Sequence, residues 1–330
     1  MKDKIVCMGE LILRLSPPGH ERFIQAENFM TTYGGSEANV AIALANLGQK
    51  VKMITRLPDN FIGDAAIDSL RDFGIDMSHV ARGGERIGIY YAENGIGLRP
   101  SKVIYDRKNS SMSQAKYFEF DWKDIFEDAK IFFLSGITAA LSEEGRELTR
   151  YAIKRAKEYD VEVIFDLNYR SNLWPLDQAA EFYKSILDDV DILIGVLPSL
   201  HSSFKGVFDH VSVSNMLIDL YRKYDLKYAI STIRTSFSAS KNALSAGAYC
   251  GDEYIKTRAY TFDIVDRIGG GDAFAAGLIN SYSKGNDMYD ALEFGVGLST
   301  LKHTMEGDYA IFTERQVRTL ISGNKRMIFY

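Results

Sequence analysis

Short apolar runs alternate with amphipathic helical patterns through most of this 330-residue chain, and no other feature narrows the choice of fold as much. Residues 4–9 read as a buried strand, and the alanine-rich stretch 38–47, stopped by Gly48, reads as a helix. Ser36 is a natural N-cap for that helix, with Glu37 favouring its first turn. A strand over 51–55 and a helix over 61–73, stopped by Gly74, repeat the unit. After an interruption the rhythm resumes with strand 131–134, helix 143–159, strand 161–167, helix 176–187, strand 191–194, helix 213–224 and strand 228–232. Strands separated by such helices pair in parallel, with helices covering both faces. The expectation is one domain over 1–330, a doubly wound, mainly parallel sheet in a three-layer α/β/α arrangement. No internal repeat, low-complexity run or linker divides it.

The interruption has its own character. Residues 87–92 and 102–107 are β-rich with no helix between them, so antiparallel strands outside the main sheet are expected. Extended stretches at 11–15 and 23–33, joined through Pro17-Pro18-Gly19, complete a small second sheet. This gives a lid with elements at about 10–33 and 86–120. Tyr90, Tyr91 and Tyr105 alternate with apolar residues there, which suits either packing or closure over a ligand. Residues 243–260 read as hairpin material, and helices are expected at 288–303 and 314–321.

The chemistry is concentrated in Asp266-Arg267-Ile268-Gly269-Gly270-Gly271-Asp272-Ala273-Phe274, where a loop becomes a helix. Glycines there let backbone N–H groups approach an anion, and the first helical turn adds unpaired N–H groups and the positive end of its dipole. An aspartate beside a phosphate site would repel the ligand unless it has another task. Asp272 can accept the proton of a hydroxyl while the N–H groups of Gly269, Gly270 and Gly271 hold the phosphoryl group under attack. An acidic first turn that merely favours the dipole is the plain alternative. Ligands of open α/β sheets sit beyond the carboxyl ends of the strands. Asp166-Leu167-Asn168-Tyr169-Arg170 and Arg107 both end strands. Two guanidinium groups near one pocket suit a carboxylate, although most arginines form only surface ion pairs.

Composition excludes several classes. A net charge of −5 argues against a polyanion surface. Two cysteines give no disulfide framework, and the start of the chain lacks the apolar core of a signal peptide, so the cytoplasm is expected. No apolar run approaches a membrane span. The five histidines have no metal-ligand spacing, and Gly-x-Ser-x-Gly and Walker motifs are missing.

Two distant stretches, Gly34-Gly35-Ser36-Glu37-Ala38-Asn39 and Asp266 to Phe274, resemble the glycine pair and the C-terminal signature of the ribokinase-like (PfkB) sugar kinases, across essentially the whole chain. The resemblance implies Asp272 as base, Gly269, Gly270 and Gly271 as anion hole, and sugar contacts from Gly34, Gly35 and Asn39. Within the family, Tyr105-Asp106-Arg107, Asp166 to Arg170 with Trp174, and Lys302-His303-Thr304 with Gly307-Asp308 resemble 2-keto-3-deoxygluconate kinases. That likeness implies Tyr90, Tyr105, Arg107, Asn168 and Arg170 on the sugar acid. It implies ATP with Mg²⁺ as cofactors, nucleotide contacts from Thr232, Arg234, Gly269, Gly271 and His303, and a homo-oligomer formed through the lid. No protein residue is assigned to a metal.

Two departures stand out. Val196-Leu197-Pro198-Ser199 occupies the place of the family's Asn-x-x-Glu, and Arg267 stands where the family often has Thr. Arg267 either adds charge near the phosphates or pairs with Asp263 or Asp266. A kinase of fructose or ribose and a non-catalytic sugar-binding relative remain as alternatives to the sugar-acid kinase.

Overall fold

The computed structural model describes residues 2–198, 208–251 and 253–323. Strand β1 (Lys4–Met8) leads into β2 (Ile12–Ser16), β3 (Met30–Gly34) and helix α1 (Ser36–Asn46). Next come β4 (Val51–Ile54), β5 (Arg56–Leu57), α2 (Phe61–Arg71), β6 (Ala81–Arg82), β7 (Gly88–Glu93) and β8 (Lys102–Asp106). The middle of the chain gives α3 (Trp122–Phe126), β9 (Ala129–Ser135), α4 (Gly136–Leu141), α5 (Glu143–Glu158), β10 (Glu162–Asp166), α6 (Leu176–Lys184) and β11 (Ile192–Ile194). It closes with α7 (His210–Tyr224), β12 (Tyr228–Ser238), β13 (Lys241–Cys250), β14 (Glu253–Lys256), β15 (Tyr260–Asp263), α8 (Gly270–Ser283), α9 (Met288–Lys302) and α10 (Glu314–Ile321).

Nine of these strands form the main sheet, in the order β14-β13-β12-β11-β10-β9-β1-β4, with β15 paired to β13. From β12 to β4 every neighbour is parallel, and the β12–β13 hairpin begins an antiparallel margin. Parallel strands buried on both faces send alternate side chains to opposite cores. Ile5, Cys7, Ile131, Phe133 and Ile164 pack with α1, α2, α8, α9 and α10. Val6, Met8, Phe132, Leu134, Val163 and Phe165 pack with α3, α5, α6 and α7. This is the three-layer arrangement expected from the alternation. Helices α8 and α9 cross at glycines: a Cβ on Gly277 would lie 2.8 Å from the Cα of Gly295.

The order reverses between β1 and β9, which opens a crevice at their carboxyl ends. Glu37 of α1 fills it. Its Oε1 accepts bonds from the Ser135 backbone N–H (2.9 Å) and Oγ (2.7 Å), and its Oε2 has no partner among the described residues.

Outside this body lies a second sheet, β3-β2-β7-β8. The β7–β8 pair is antiparallel as expected, and β2 joins β7 in parallel. The strand expected over 23–33 is confined to its end. The Phe23 N–H donates to Glu93 (3.0 Å), drawing the preceding residues into turns. The lid segment expected over 86–120 also divides. Its first part gives β7 and β8, whereas Met112, Ala115 and Phe120 return to the core of the body.

Sheet and body are tied by a buried ion cluster. Arg14 of β2, 3% exposed, pairs with Asp308 and with Asp266 (2.7 Å), and its Nε donates to Ser16 (2.6 Å). Removing one partner of a buried pair strands the others. Arg14→Leu should therefore cost about 3–5 kcal/mol of stability, and adding Asp266→Asn and Asp308→Asn should recover part of it. Urea titration of Arg14→Leu and of the triple variant checks this.

Candidate active site

Helices α1 and α8 bring their N-termini together beneath the lid, and Asp272 sits where they meet. Its Oδ1 accepts from Ser36 Oγ (2.9 Å) and its Oδ2 from Asn39 Nδ2 (2.7 Å). Asn168 Nδ2 donates to the same Ser36 Oγ (2.9 Å). Ser36 is thus not the N-cap. Gly35 takes that place with φ 140°, and a Cβ there would lie 2.1 Å from the Glu10 carbonyl oxygen. The hydroxyl freed from capping buttresses the aspartate. Enclosure raises the Asp272 carboxyl to about 6, against the lowering pull of Asn39, Ser36 and Arg170.

The glycine loop is shaped by what it must approach. Gly269 has φ 78°, and a Cβ on it would lie 1.5 Å from the Asp308 carbonyl oxygen. A Cβ on Gly270 would lie 2.2 Å from the His303 ring, whereas Gly271 faces open space.

Two cavities flank this loop. The first, of about 480 Å³, is walled by Gly35, Asn39 and Asp272 from the helix ends, by Tyr90, Tyr105 and Arg107 from the lid, and by Asn168 and Arg170 after β10. Gly269, Gly270 and Gly271 close it from below. Gly34 lies behind the wall, pressed against Asp308 and Asn39. The register of β7 settles which tyrosine faces in. Tyr90 is buried, donates to Asp308 and lies 5.7 Å from the Tyr105 ring, while Tyr91 packs against Phe29 on the other face. Arg107 is not a free cation. It pairs with Glu10, which also accepts from Ser110 Oγ. Arg170 is exposed and has no ion pair among the described residues.

The second cavity, of about 550 Å³, is walled by Thr232, Arg234, Gly270, Gly271 and His303, with Leu244 and Phe262 apolar beside them. Gly269 borders only the first cavity. His303 Nδ1 donates to the Ser299 carbonyl (2.7 Å), and burial holds its ring down at about 4, so it is neutral. Val196, Leu197 and Pro198 line this cavity at the place of the missing Asn-x-x-Glu; Ser199 and His201 lie outside the described residues. Arg267 borders both cavities. It pairs with neither Asp263 nor Asp266; the Asp266 carboxylate is taken by Arg14 and by the Ile268 N–H (3.0 Å). Asp166 and Asp308, noted in the sequence only as parts of longer motifs, also line the first cavity, as does Glu10, which was not picked out as a site residue from the sequence. The place of Glu10 directly after the expected strand 4–9 was the available signal.

The chain matches the family described as "pfkB family carbohydrate kinase" over residues 2–198 and 245–314. It is 32% identical to a 2-dehydro-3-deoxygalactonokinase of Haloferax volcanii over 98% of both chains. Its structure resembles that of 2-dehydro-3-deoxygluconokinase from Thermotoga maritima, with a TM-score of 0.94 and 40% identity over 97% of this chain and 100% of that one. A putative 2-keto-3-deoxygluconate kinase from Enterococcus faecalis gives a TM-score of 0.91 and 28% identity over 99% of both. The fold is that of a carbohydrate kinase. The chain belongs to the pfkB family.

The crevice carboxyl has a measurable signature. Burial raises Glu37 to about 7 from 4.5. Its contribution to stability is therefore whole below the unfolded value and is lost as pH rises through about 7. Wild-type protein should lose on the order of 2 kcal/mol more stability than Glu37→Gln between about pH 5 and about pH 8. Denaturant midpoints at the two pH values test this.

Proposed function

We propose that the protein phosphorylates a hydroxyl of a sugar acid, 2-keto-3-deoxygluconate, at the expense of ATP. The observation that carries this reading is that Asp272, at a glycine-rich helix start, shares one cavity with Arg107 and Arg170. The names of the related kinases, which act on keto-deoxy sugar acids, support it.

In this reading Asp272 takes the proton of the acceptor hydroxyl, whose oxygen attacks the γ-phosphorus in line. The bond to the β–γ bridging oxygen breaks, and ADP leaves with its electron pair. Ser36 and Asn39 hold the carboxylate in place, and the N–H groups at the start of α8 face the transferring group. Gly35, Asn39, Tyr90, Tyr105 and Asn168 line the sugar; Thr232, Arg234, Gly271 and His303 line the nucleotide. The guanidinium groups divide the work on the acid. Glu10 neutralises and orients Arg107, so the unpaired charge for the carboxylate comes from Arg170.

The donors suit Mg²⁺ held chiefly by phosphates. Asp166 borders both cavities, and burial, together with the Asp272 charge, raises its carboxyl to about 7, a strain that a neighbouring cation relieves. Among the described residues no three histidine, cysteine or acidic side chains cluster to bind a metal alone. Mg²⁺ there would neutralise charge on the phosphates.

A homo-oligomer formed through the lid accompanies this reading, because Met30, Val103 and Ile104 stand exposed on it. Two free cysteines suit a reducing cytoplasm.

Asp272→Asn should fold and bind sugar normally yet lose at least about 10²-fold in turnover. In the wild type, kcat/KM should fall on the acid side of a limb near 6, since only the ionised carboxylate accepts a proton. Arg170→Ala should raise KM for the acid at least about tenfold, or 1.4 kcal/mol, and change activity on fructose or ribose much less. Equal kcat/KM on acid and neutral sugars in the wild type would replace this reading with a neutral-sugar kinase.

A further inference from the structure

The two cavities have six wall residues in common: Asp166, Asn168, Arg234, Arg267, Gly270 and Gly271. These residues form the neck between them. A phosphate chain running from a nucleotide in the second cavity to a hydroxyl at Asp272 must pass through this neck. Two of its members are guanidinium groups on different elements, Arg234 on β12 and Arg267 just before the glycine loop. Neither has an ion pair among the described residues, although the Asp166 carboxyl borders the same neck.

Arg267 is aimed rather than loose. Its Nη2 donates to the Ala239 carbonyl at the tip of the β12–β13 hairpin (2.8 Å), and its buried Nε has no partner among the described residues. The tip is itself fixed. The Ala239 N–H donates to the Gly97 carbonyl of the lid (3.2 Å), and the Ile264 N–H to the Ser240 carbonyl (2.8 Å). Burial, then the charges of Arg267 and Arg170, hold the Arg234 guanidinium below its ordinary value. Guanidinium groups gathered without an ion pair repel one another, and a multivalent anion between them relieves the repulsion. The N–H groups of Gly270 and Gly271, at the positive end of α8, face the same space.

We propose that Arg267 is a phosphate-clamping residue that, with Arg234, grips the polyphosphate of the nucleotide in the neck. The proposal rests on the kinase reading above and extends it to a residue that reading leaves without a task. The fork geometry of a guanidinium suits two oxygens of one phosphate or of adjacent phosphates. Anchoring one nitrogen to a backbone carbonyl lowers the entropy lost when the others engage.

The experiment compares wild type, Arg267→Ala and Arg267→Lys in two assays. One is steady-state kinetics with ATP and 2-keto-3-deoxygluconate varied separately. The other is calorimetric binding of inorganic tripolyphosphate to metal-free protein at low and high salt. Arg267→Ala should raise KM for ATP at least about tenfold, with KM for the acid within about twofold of wild type. Tripolyphosphate binding should weaken by a similar factor, and its salt dependence should become shallower. Arg267→Lys, which keeps the charge but loses the fork, should recover part of both. A variant that loses thermal stability but keeps wild-type KM for ATP and wild-type tripolyphosphate binding would make Arg267 a prop for the hairpin and overturn the clamp. If wild type binds tripolyphosphate through Arg267 yet phosphorylates no sugar acid, the clamp stands and the kinase reading falls.

Discussion

Everything at the centre of this protein hangs on one carboxylate held by two donors from the far end of the chain. Asp272 accepts from Ser36 and Asn39, which lie 236 and 233 residues away. Those bonds place the N-termini of α1 and α8 at one point, so two positive helix ends and one acid share a small volume. The rest of the architecture serves that meeting. The strand reversal between β1 and β9 makes the crevice, Glu37 plugs it, and Gly35 lets α1 start close enough for its first turn to reach α8.

The lid is attached by charge. Arg14 crosses from β2 to Asp266 and Asp308, and Tyr90 adds a bond to Asp308 from β7. Arg107 crosses from the end of β8 to Glu10 at the end of β1. Each tie uses a residue that also walls the first cavity or leads into the glycine loop. The position of the lid and the shape of the pocket are therefore one property.

The layers of the fold were legible because they rest on local periodicity. Helix α10, the α5 stretch and the parallel strands follow from apolar spacing and glycine stops. The glycine loop and Asp272 were legible because few folds need three glycines and an acid at a helix start. Other features depend on contacts that spacing does not encode. Ser36 obeys the local rule for an N-cap, yet the site uses its hydroxyl on Asp272 and leaves the cap to a glycine with φ 140°. Glu10 and Asp308 look like surface acids until Arg107 and Arg14 arrive from elsewhere in the chain; Arg14 and Asp308 lie 294 residues apart. Residues 112–120 follow a β-rich stretch and carry no helical period, so nothing local shows their return to the core.

The glycine crossing of α8 and α9 sets how the site can move. Where Gly277 meets Gly295 the two backbones approach closely, and the buried Phe274 ring packs beside Gly295. Relative sliding of the pair has no soft coordinate there, because packed backbones are far less compliant than interdigitated side chains. The His303 ring at the end of α9 presses on Gly270 at the start of α8, pinning the pair a second time. The helix carrying Asp272 and the residue bordering the second cavity are thus braced against each other at two points, so the spacing between the two cavities is set by backbone contact.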